Sequence, residues 1–445
     1  MRDNFPRFGE RVMRRLDELA ADTDEPGKIT RLFLSPSHKR AMARVRGFME
    51  AAALSVEEDD IGNVVGRLES SVPDAPVFIL GSHIDSVRDA GRYDGGFGVL
   101  SAIEVADEIR RRGDKLPFSL EIVAFGDEEG VRFPATLSGS RALAGNFDFE
   151  SLDAKDENGV SLAEALRGFG CNIEGIGKIA RDPRRACGYL ESHIEQGPVL
   201  EAENLALGVV TAIAGMCRFN VTVEGEAGHA GTVPMGRRKD PLAGSAAMIS
   251  AVEDEARRTP DVVATVGVIE ASPGAINVIP AKVRFSVDLR APVDEVRERA
   301  KAKVEARLSS IATKRGLSIG FTPLDEAKAT PCDPGMMREL SDALARQGHR
   351  VFTLPSGAGH DAMAMARLCP VAMLFLRCKA GISHNPAEAI TVEDAQAAIE
   401  VMLDFILHFR PSAHAEATEE RSVSQGGRPA VVAQIASHDT TPLSR

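Results

Sequence analysis

The sequence predicts an α/β protein with a smaller α+β unit inserted into it. Three observations carry that expectation. Short Val/Ile-rich runs, such as residues 76–80 and 118–125, end abruptly at glycine or charged residues and alternate with amphipathic helical stretches, as buried strands joined by helices do. From about Gly215 the order becomes strand, helix, strand, strand, helix, strand, which is the ferredoxin-like split βαβ arrangement. The length of 445 residues is more than one core usually holds.

Taken in order, residues 9–21 and 38–54 have helical period, the second opened by Ser35-Pro-Ser37 as a cap. Residues 54–59 and 63–68 suit a hairpin around Ile61-Gly62, and 29–34 a strand or loop with one Arg among apolar neighbours. The run 76–80 leads through Gly81 to a glycine-rich turn and a helix over 99–112, then a strand over 118–125. A helix over 160–169 and a strand over 186–192 follow. In the insert we expect strands at 218–224, 262–270, 283–289 and 317–322 and helices at 240–259 and 293–315, with 324–331 as a polar return linker. Helices at 334–347, 360–367 and 391–409 and strands at 350–354 and 371–376 complete the first unit. The expected division is 1–213 with 327–410, the insert 214–326, and a tail over 411–445 whose Ser, Ala, Thr and Gln content predicts disorder.

Composition excludes several function classes. A formal charge of -12 without a basic cluster argues against nucleic acid. Six cysteines with no CxxC pairing fit reduced thiols and a cytoplasmic location. Residues 1–21 lack the apolar core of a signal peptide, and no stretch reaches membrane-spanning length.

The chemistry gathers where strands end. His83 and Asp85 leave the run 76–80 together, and an imidazole with a carboxylate two residues on is a common metal ligand with its orienting partner. A buried histidine satisfied by its neighbour explains that pair equally well when it is taken alone. Asp94 follows on the glycine turn. Glu128 and Glu129 end the next strand and point in different directions, so one can ligate while the other handles a proton. His193 ends a third strand, and His384 lies on a later loop. His83, Asp94, Glu129, His193 and His384 thus make a histidine and carboxylate set for two divalent ions sharing Asp94. Without thiolate, that set suits zinc, manganese or cobalt.

The motifs Gly81-Ser-His-Ile-Asp-Ser-Val87, Asp94-Gly-Gly-Phe-Gly98, Glu128-Glu-Gly-Val-Arg-Phe133, His193-Ile-Glu-Gln-Gly-Pro198, Gly228-His-Ala-Gly-Thr-Val-Pro-Met235, Asn277-Val-Ile-Pro280, Gly357-Ala-Gly-His-Asp-Ala362 and Gly381-Ile-Ser-His-Asn-Pro-Ala-Glu388 resemble those of the hydantoinase/carbamoylase group of dinuclear metal amidohydrolases. The resemblance runs from about Thr30 to Phe409. Within the group, Thr30-Arg-Leu-Phe-Leu-Ser-Pro36 and Arg92-Tyr-Asp-Gly95 look most like the allantoate branch. Ser86 and Val233 stand where threonine is more usual.

The resemblance implies a dinuclear-zinc exopeptidase-like catalytic domain and an insert that acts as dimerisation and lid domain of a homodimer. It implies two divalent ions per subunit, Zn or Mn. His83, Asp94 and His193 would hold one, and Asp94, Glu129 and His384 the other. Glu128 would be the general base, Asp85 would orient His83, and His229 would stabilise an oxyanion. Gln196, Arg218, Asn277, Arg290 and the loop with Ser356, Gly357 and His360 would contact a small ureido-carboxylate substrate. The expected reaction is hydrolysis of allantoate, with N-carbamoyl-L-amino acids or β-ureidopropionate as the alternative.

Overall fold

The computed structural model describes residues 7–411. The disorder expected for the tail falls, Pro411 apart, outside the described residues. Helices α1 (Phe8–Ala20) and α2 (Pro36–Ala51) lead into the hairpin β1 (Ser55–Glu58) and β2 (Val64–Leu68). Next come β3 (Val77–His83), α3 (Gly96–Arg112), β4 (Ser119–Phe125), α4 (Ser138–Leu143), α5 (Leu162–Phe169), β5 (Ala186–Ile194), α6 (Val199–Ala202) and β6 (Leu207–Ile213). The inserted stretch contributes β7 (Gly215–Glu224), β8 (Gly228–His229), α7 (Pro241–Arg258), β9 (Val263–Thr265), β10 (Ile269–Ser272), β11 (Val278–Ile279), β12 (Lys282–Ala291), α8 (Asp294–Arg315) and β13 (Ser318–Ala327). The chain closes with β14 (Thr330–Pro331), α9 (Pro334–Arg346), β15 (Thr353–Ser356), α10 (Ala362–Met365), β16 (Val371–Leu376) and α11 (Val392–His408).

Helix starts follow local chemistry. Ser35 caps α2, Asp240 caps α7 and Asp333 caps α9, each followed by proline at the first helical position, where a missing N–H costs nothing. Thr391 caps α11 by accepting from the Asp394 amide.

One mixed sheet has the order β1-β2-β4-β3-β5-β16-β6-β14, with β15 also paired to β6. Its central strands are buried along almost their whole length because both faces are covered, and their apolar runs are interrupted by Glu121 in β4 and Glu191 in β5. Phe78, Leu80, Leu120 and Ile122 face the core built with α1, α3, α9 and α11, whereas Val77, Ile79, Val123 and Phe125 face the one built with α4, α5 and α10. Strand β3 is parallel to β4 on one side and to β5 on the other. The connections leaving the ends of β3, β4 and β5 therefore open onto one crevice, where α/β sheets bind ligands.

The second sheet, β10-β12-β7-β13 with β9 also on β12, is antiparallel throughout. Helices α7 and α8 cover one face, where Met248, Val304 and Leu308 pack on Val221, Phe285 and Leu289. The order of strands and helices is that of a split βαβ unit.

Several elements differ from expectation. The strand expected over 262–270 is two short strands: Thr265 pairs with Asp288 and Ile269 with Phe285, so four steps on one side face three on β12 and the ladder breaks. The linker expected from Leu324 instead continues β13 to Ala327 along β7. Pro323 lacks an amide hydrogen but sits at a bulge on an edge strand, where that lack is tolerated. The strand at 350–354 shifts to Thr353–Ser356, and the helix at 360–367 shortens to α10. Strand β6 was not anticipated; its pairing with β14, β15 and β16 is long-range. All six cysteines are unpaired. Among the described residues, no helix is long and apolar enough to cross a membrane.

Candidate metal centre

The crevice collects the expected side chains around Asp94. His83 is the last residue of β3, His193 lies near the end of β5, and Glu128 and Glu129 follow β4. Asp94 sits on the turn before α3, and His384 on the loop between β16 and α11. Asp94 Oδ1 is 3.1 Å from His193 Nε2 and 3.4 Å from His83 Nε2. On its other oxygen, His384 Nε2 approaches to 3.3 Å, and the same nitrogen is 3.5 Å from Glu129 Oε2. Residues brought together from five separate segments thus form two triads that could each hold a metal ion, His83/Asp94/His193 and Asp94/Glu129/His384, each with donor atoms within 4.8 Å of one another. A third grouping, His83/Glu128/Glu129, also meets that distance.

Both buried histidines are oriented through Nδ1. His83 Nδ1 is 3.1 Å from the Asp85 carbonyl oxygen and His193 Nδ1 2.9 Å from the Ile194 carbonyl oxygen, which leaves each Nε2 facing the centre. The hydrogen bond between Asp85 and His83 runs through the Asp85 backbone. Its carboxylate lies 3.6 Å from His83 and instead accepts the amides of Glu128 at 3.1 Å and Glu129 at 3.2 Å, one per oxygen. The backbone of Asp85 orients the imidazole, and its side chain holds the turn that presents the two glutamates.

The electrostatics suit cations. Burial, reinforced by Glu129, Asp361 and Asp85, outweighs His83 and pushes the Glu128 carboxyl well above its usual range. Burial and the neighbouring Asp94 carry Glu129 up to about 7. At Asp94, burial is overcome by hydrogen bonds from His193, His384 and His83, which hold it well below the carboxylate range. The hydrogen bond to Asp94 raises His384 to about 9. For His83, burial opposes the charge, but Asp94, Glu128 and Asp85 win and raise it well above normal. Protons on the imidazoles thus offset a surplus of buried carboxylates. Two divalent ions offset it better, and the imidazole and carboxylate donors, free of thiolate, fit zinc or manganese.

The remaining expected residues divide. Gln196 reaches the centre, its Nε2 donating to Asp94 Oδ2 at 2.8 Å and Ser383 Oγ at 3.2 Å, while its buried Oε1 has no partner among the described residues. Ser356 Oγ and His360 Nε2 share a hydrogen bond of 2.8 Å, and the His360 ring packs edge-on to His193 with centroids 4.5 Å apart. Burial drives His360 well below its ordinary range, so it is a neutral wall behind His193. Arg290 donates both arms of its fork to Asp288 at 2.9 Å and a third N–H to the Gly357 carbonyl at 2.7 Å, linking the second sheet to that wall. Arg218 pairs with Asp288 at 2.8 Å and Asp325 at 3.6 Å. A cavity of about 550 Å³ lies here, lined by Arg218, Thr265, Asp288, Arg290 and Gly357, within the roughly 300–1,000 Å³ of small-ligand pockets. His229 and Asn277 are exposed; His229 pairs with Val278 of β11, and Asn277, just before that strand, accepts the Ala230 amide through its backbone carbonyl. The structure brings neither of them to Asp94.

Sequence reasoning missed Ser383 and Glu388. Ser383 Oγ donates to Asp94 Oδ2 at 2.7 Å, and Glu388 accepts the Tyr93 and Asp94 amides at 2.7 and 3.1 Å. Both belong to the Gly381-Ile-Ser-His-Asn-Pro-Ala-Glu388 motif, so the signal was there without a partner to explain it. Arg31, an isolated charge in the sequence, is buried and donates to the carbonyls of Ile84, Leu19 and Asp22, clamping the loop after His83.

Known proteins carry the same framework. An N-carbamoyl-L-amino acid amidohydrolase of Geobacillus stearothermophilus is 42% identical over 88% of this chain and 97% of its own length. The allantoate deiminase of Arabidopsis thaliana is 40% identical over 89% of this chain and 82% of its own length. The crystal structure of a hydantoinase/carbamoylase family amidase from Burkholderia multivorans superposes with a TM-score of 0.84 at 34% identity, covering 90% of this chain and 97% of that one. The model of peptidase family M20/M25/M40 matches residues 79–408, a span that opens in β3 just ahead of His83 and takes in every ligand of both triads, and the chain belongs to that family among its amidohydrolases.

Proposed function

We propose that the chain hydrolyses the ureido C–N bond of a small carboxylate, with allantoate as the first candidate substrate. Ureidoglycine, ammonia and carbon dioxide are then the products. The observation that supports this is the convergence of His83, His193, His384 and Glu129 on the single carboxylate of Asp94, with Glu128 beside them.

In this reading His83, Asp94 and His193 hold one divalent ion, and Asp94, Glu129 and His384 the other. When bound, a pair of such ions polarises a carbonyl oxygen and lowers the pKa of water. Glu128 takes the proton from the water that attacks the ureido carbon and returns it to the departing nitrogen as the C–N bond breaks. The carbamate released falls to ammonia and carbon dioxide. Gln196 offers its unpartnered Oε1 to a ureido N–H. Arg290 takes the substrate carboxylate once Asp288 yields part of its fork. His229 and Asn277, exposed and without a contact to the Asp94 cluster among the described residues, fit a role across a homodimer in which residues 214–326 pair subunits and close as a lid.

The N-carbamoyl-L-amino acid reading has its own support in the 42% identical relative. Turnover of allantoate, N-carbamoyl-L-amino acids and β-ureidopropionate by one zinc- or manganese-loaded preparation separates the readings. Higher kcat/KM on allantoate is expected, and preference for an N-carbamoyl amino acid overturns the allantoate assignment. Absence of turnover on all three removes the ureidohydrolase reading.

A further inference from the structure

Two loops far apart in sequence meet beside the centre, one with Asp94 and the other with His384. Glu388 joins them. It is 5% exposed, and its Oε1 accepts the Tyr93 amide at 2.7 Å and the Asp94 amide at 3.1 Å. Its Oε2 lies 3.3 Å from Ser383 Oγ, the hydroxyl that donates to Asp94. The packing is so close that a Cβ on Gly91 would fall 2.3 Å from the Glu388 carboxyl carbon.

The two loops need this join unequally. Asp94 is also held by the start of α3, where the Phe97 amide donates to Tyr93 and the Gly96 amide to Asp94. His384 has no such helix. It is 49% exposed at its side chain, and its backbone φ of +53° is one that a non-glycine residue adopts at a cost. A strained, exposed ligand stays in place only if its loop is tied down.

We infer that Glu388 is a positioning residue that ties the His384 loop to the Asp94 loop and so completes the Asp94/Glu129/His384 half of the centre. This rests on the two-ion reading above. Residues that hold a ligand in place, without touching the ion, typically contribute about 10–100-fold to metal affinity.

The test is manganese binding to the chelated full-length protein, followed by calorimetry and by electron paramagnetic resonance, with melting temperature as a control. The wild type should bind two ions whose signals couple through the shared Asp94. Glu388→Ala should bind one ion nearly as before and the second about 10–100-fold more weakly, with the spectrum of an isolated ion at intermediate loading. Glu388→Gln should recover most of the second step, because its carbonyl oxygen still accepts from both amides. Unchanged binding in Glu388→Ala overturns the proposal. So does an equal fall in both steps together with the melting temperature, which marks a general structural role. A wild type that binds fewer than two ions overturns the two-ion reading instead.

Discussion

Replacing Glu128 with Gln separates the general base from a metal ligand. The Glu128 side chain is 11% exposed and its Oε2 lies 3.9 Å from His83 Nε2, so it adjoins the centre. Gln has nearly the same shape and keeps the backbone N–H that Asp85 accepts. What it loses is basicity, which burial and the repulsion of Glu129, Asp361 and Asp85 have raised well above that of an ordinary carboxylate. A positioned general base contributes about 10²–10⁴-fold, so kcat should fall by that factor, equivalent to about 2.7–5.4 kcal/mol at 1.36 kcal/mol per tenfold. Metal content by elemental analysis should stay at two ions, and KM should change little. The alternative is real, because His83, Glu128 and Glu129 also lie within ligating distance of one another. If the variant loses an ion along with its activity, Glu128 is a ligand. If kcat is unchanged, the base lies elsewhere.

Metal affinity should rise with pH, because ions compete with protons that the empty centre holds on Glu129 up to about pH 7 and on His384 up to about pH 9. The same raised values set the sign for stability. In metal-free protein both groups favour the folded state when protonated, so their contribution falls as pH rises from 4.5 through 7 for Glu129 and from 6.5 through 9 for His384. Competition titrations and urea melts across pH 6–9 check both; affinity independent of pH contradicts the assignment. Asp85→Ala strips the acceptor from two amides, one of them on each glutamate. At about 1–3 kcal/mol for each unsatisfied buried group, a loss of about 2–6 kcal/mol is expected by urea unfolding, and Asp85→Asn should lose about half of that. No loss in either variant refutes the role given to this side chain.

The main sheet was legible because its central strands carry apolar residues toward both faces, with few charges among them. Residues 76–80 and 118–125 declared themselves by composition, and the positions of His83 and Glu128 at strand ends followed from counting. Helix starts were legible too, since Ser35 and Asp240 act on amides within three residues. The unanticipated β6 and the extension of β13 past Pro323 depend on pairing with strands far away in the chain.

By itself, the order of residues determined the chemical cast: three histidines and several carboxylates at strand ends or on the loops that follow them, with no thiolate among them. Only the folded chain decided which atom does what. Asp85 turned out to hold two amides, His360 to wall off His193, and Glu388 to join loops separated by 294 positions. Hydrogen bonds form between atoms about 3 Å apart in space, and the sheet order that creates such neighbours leaves no periodic trace in the residues it brings together.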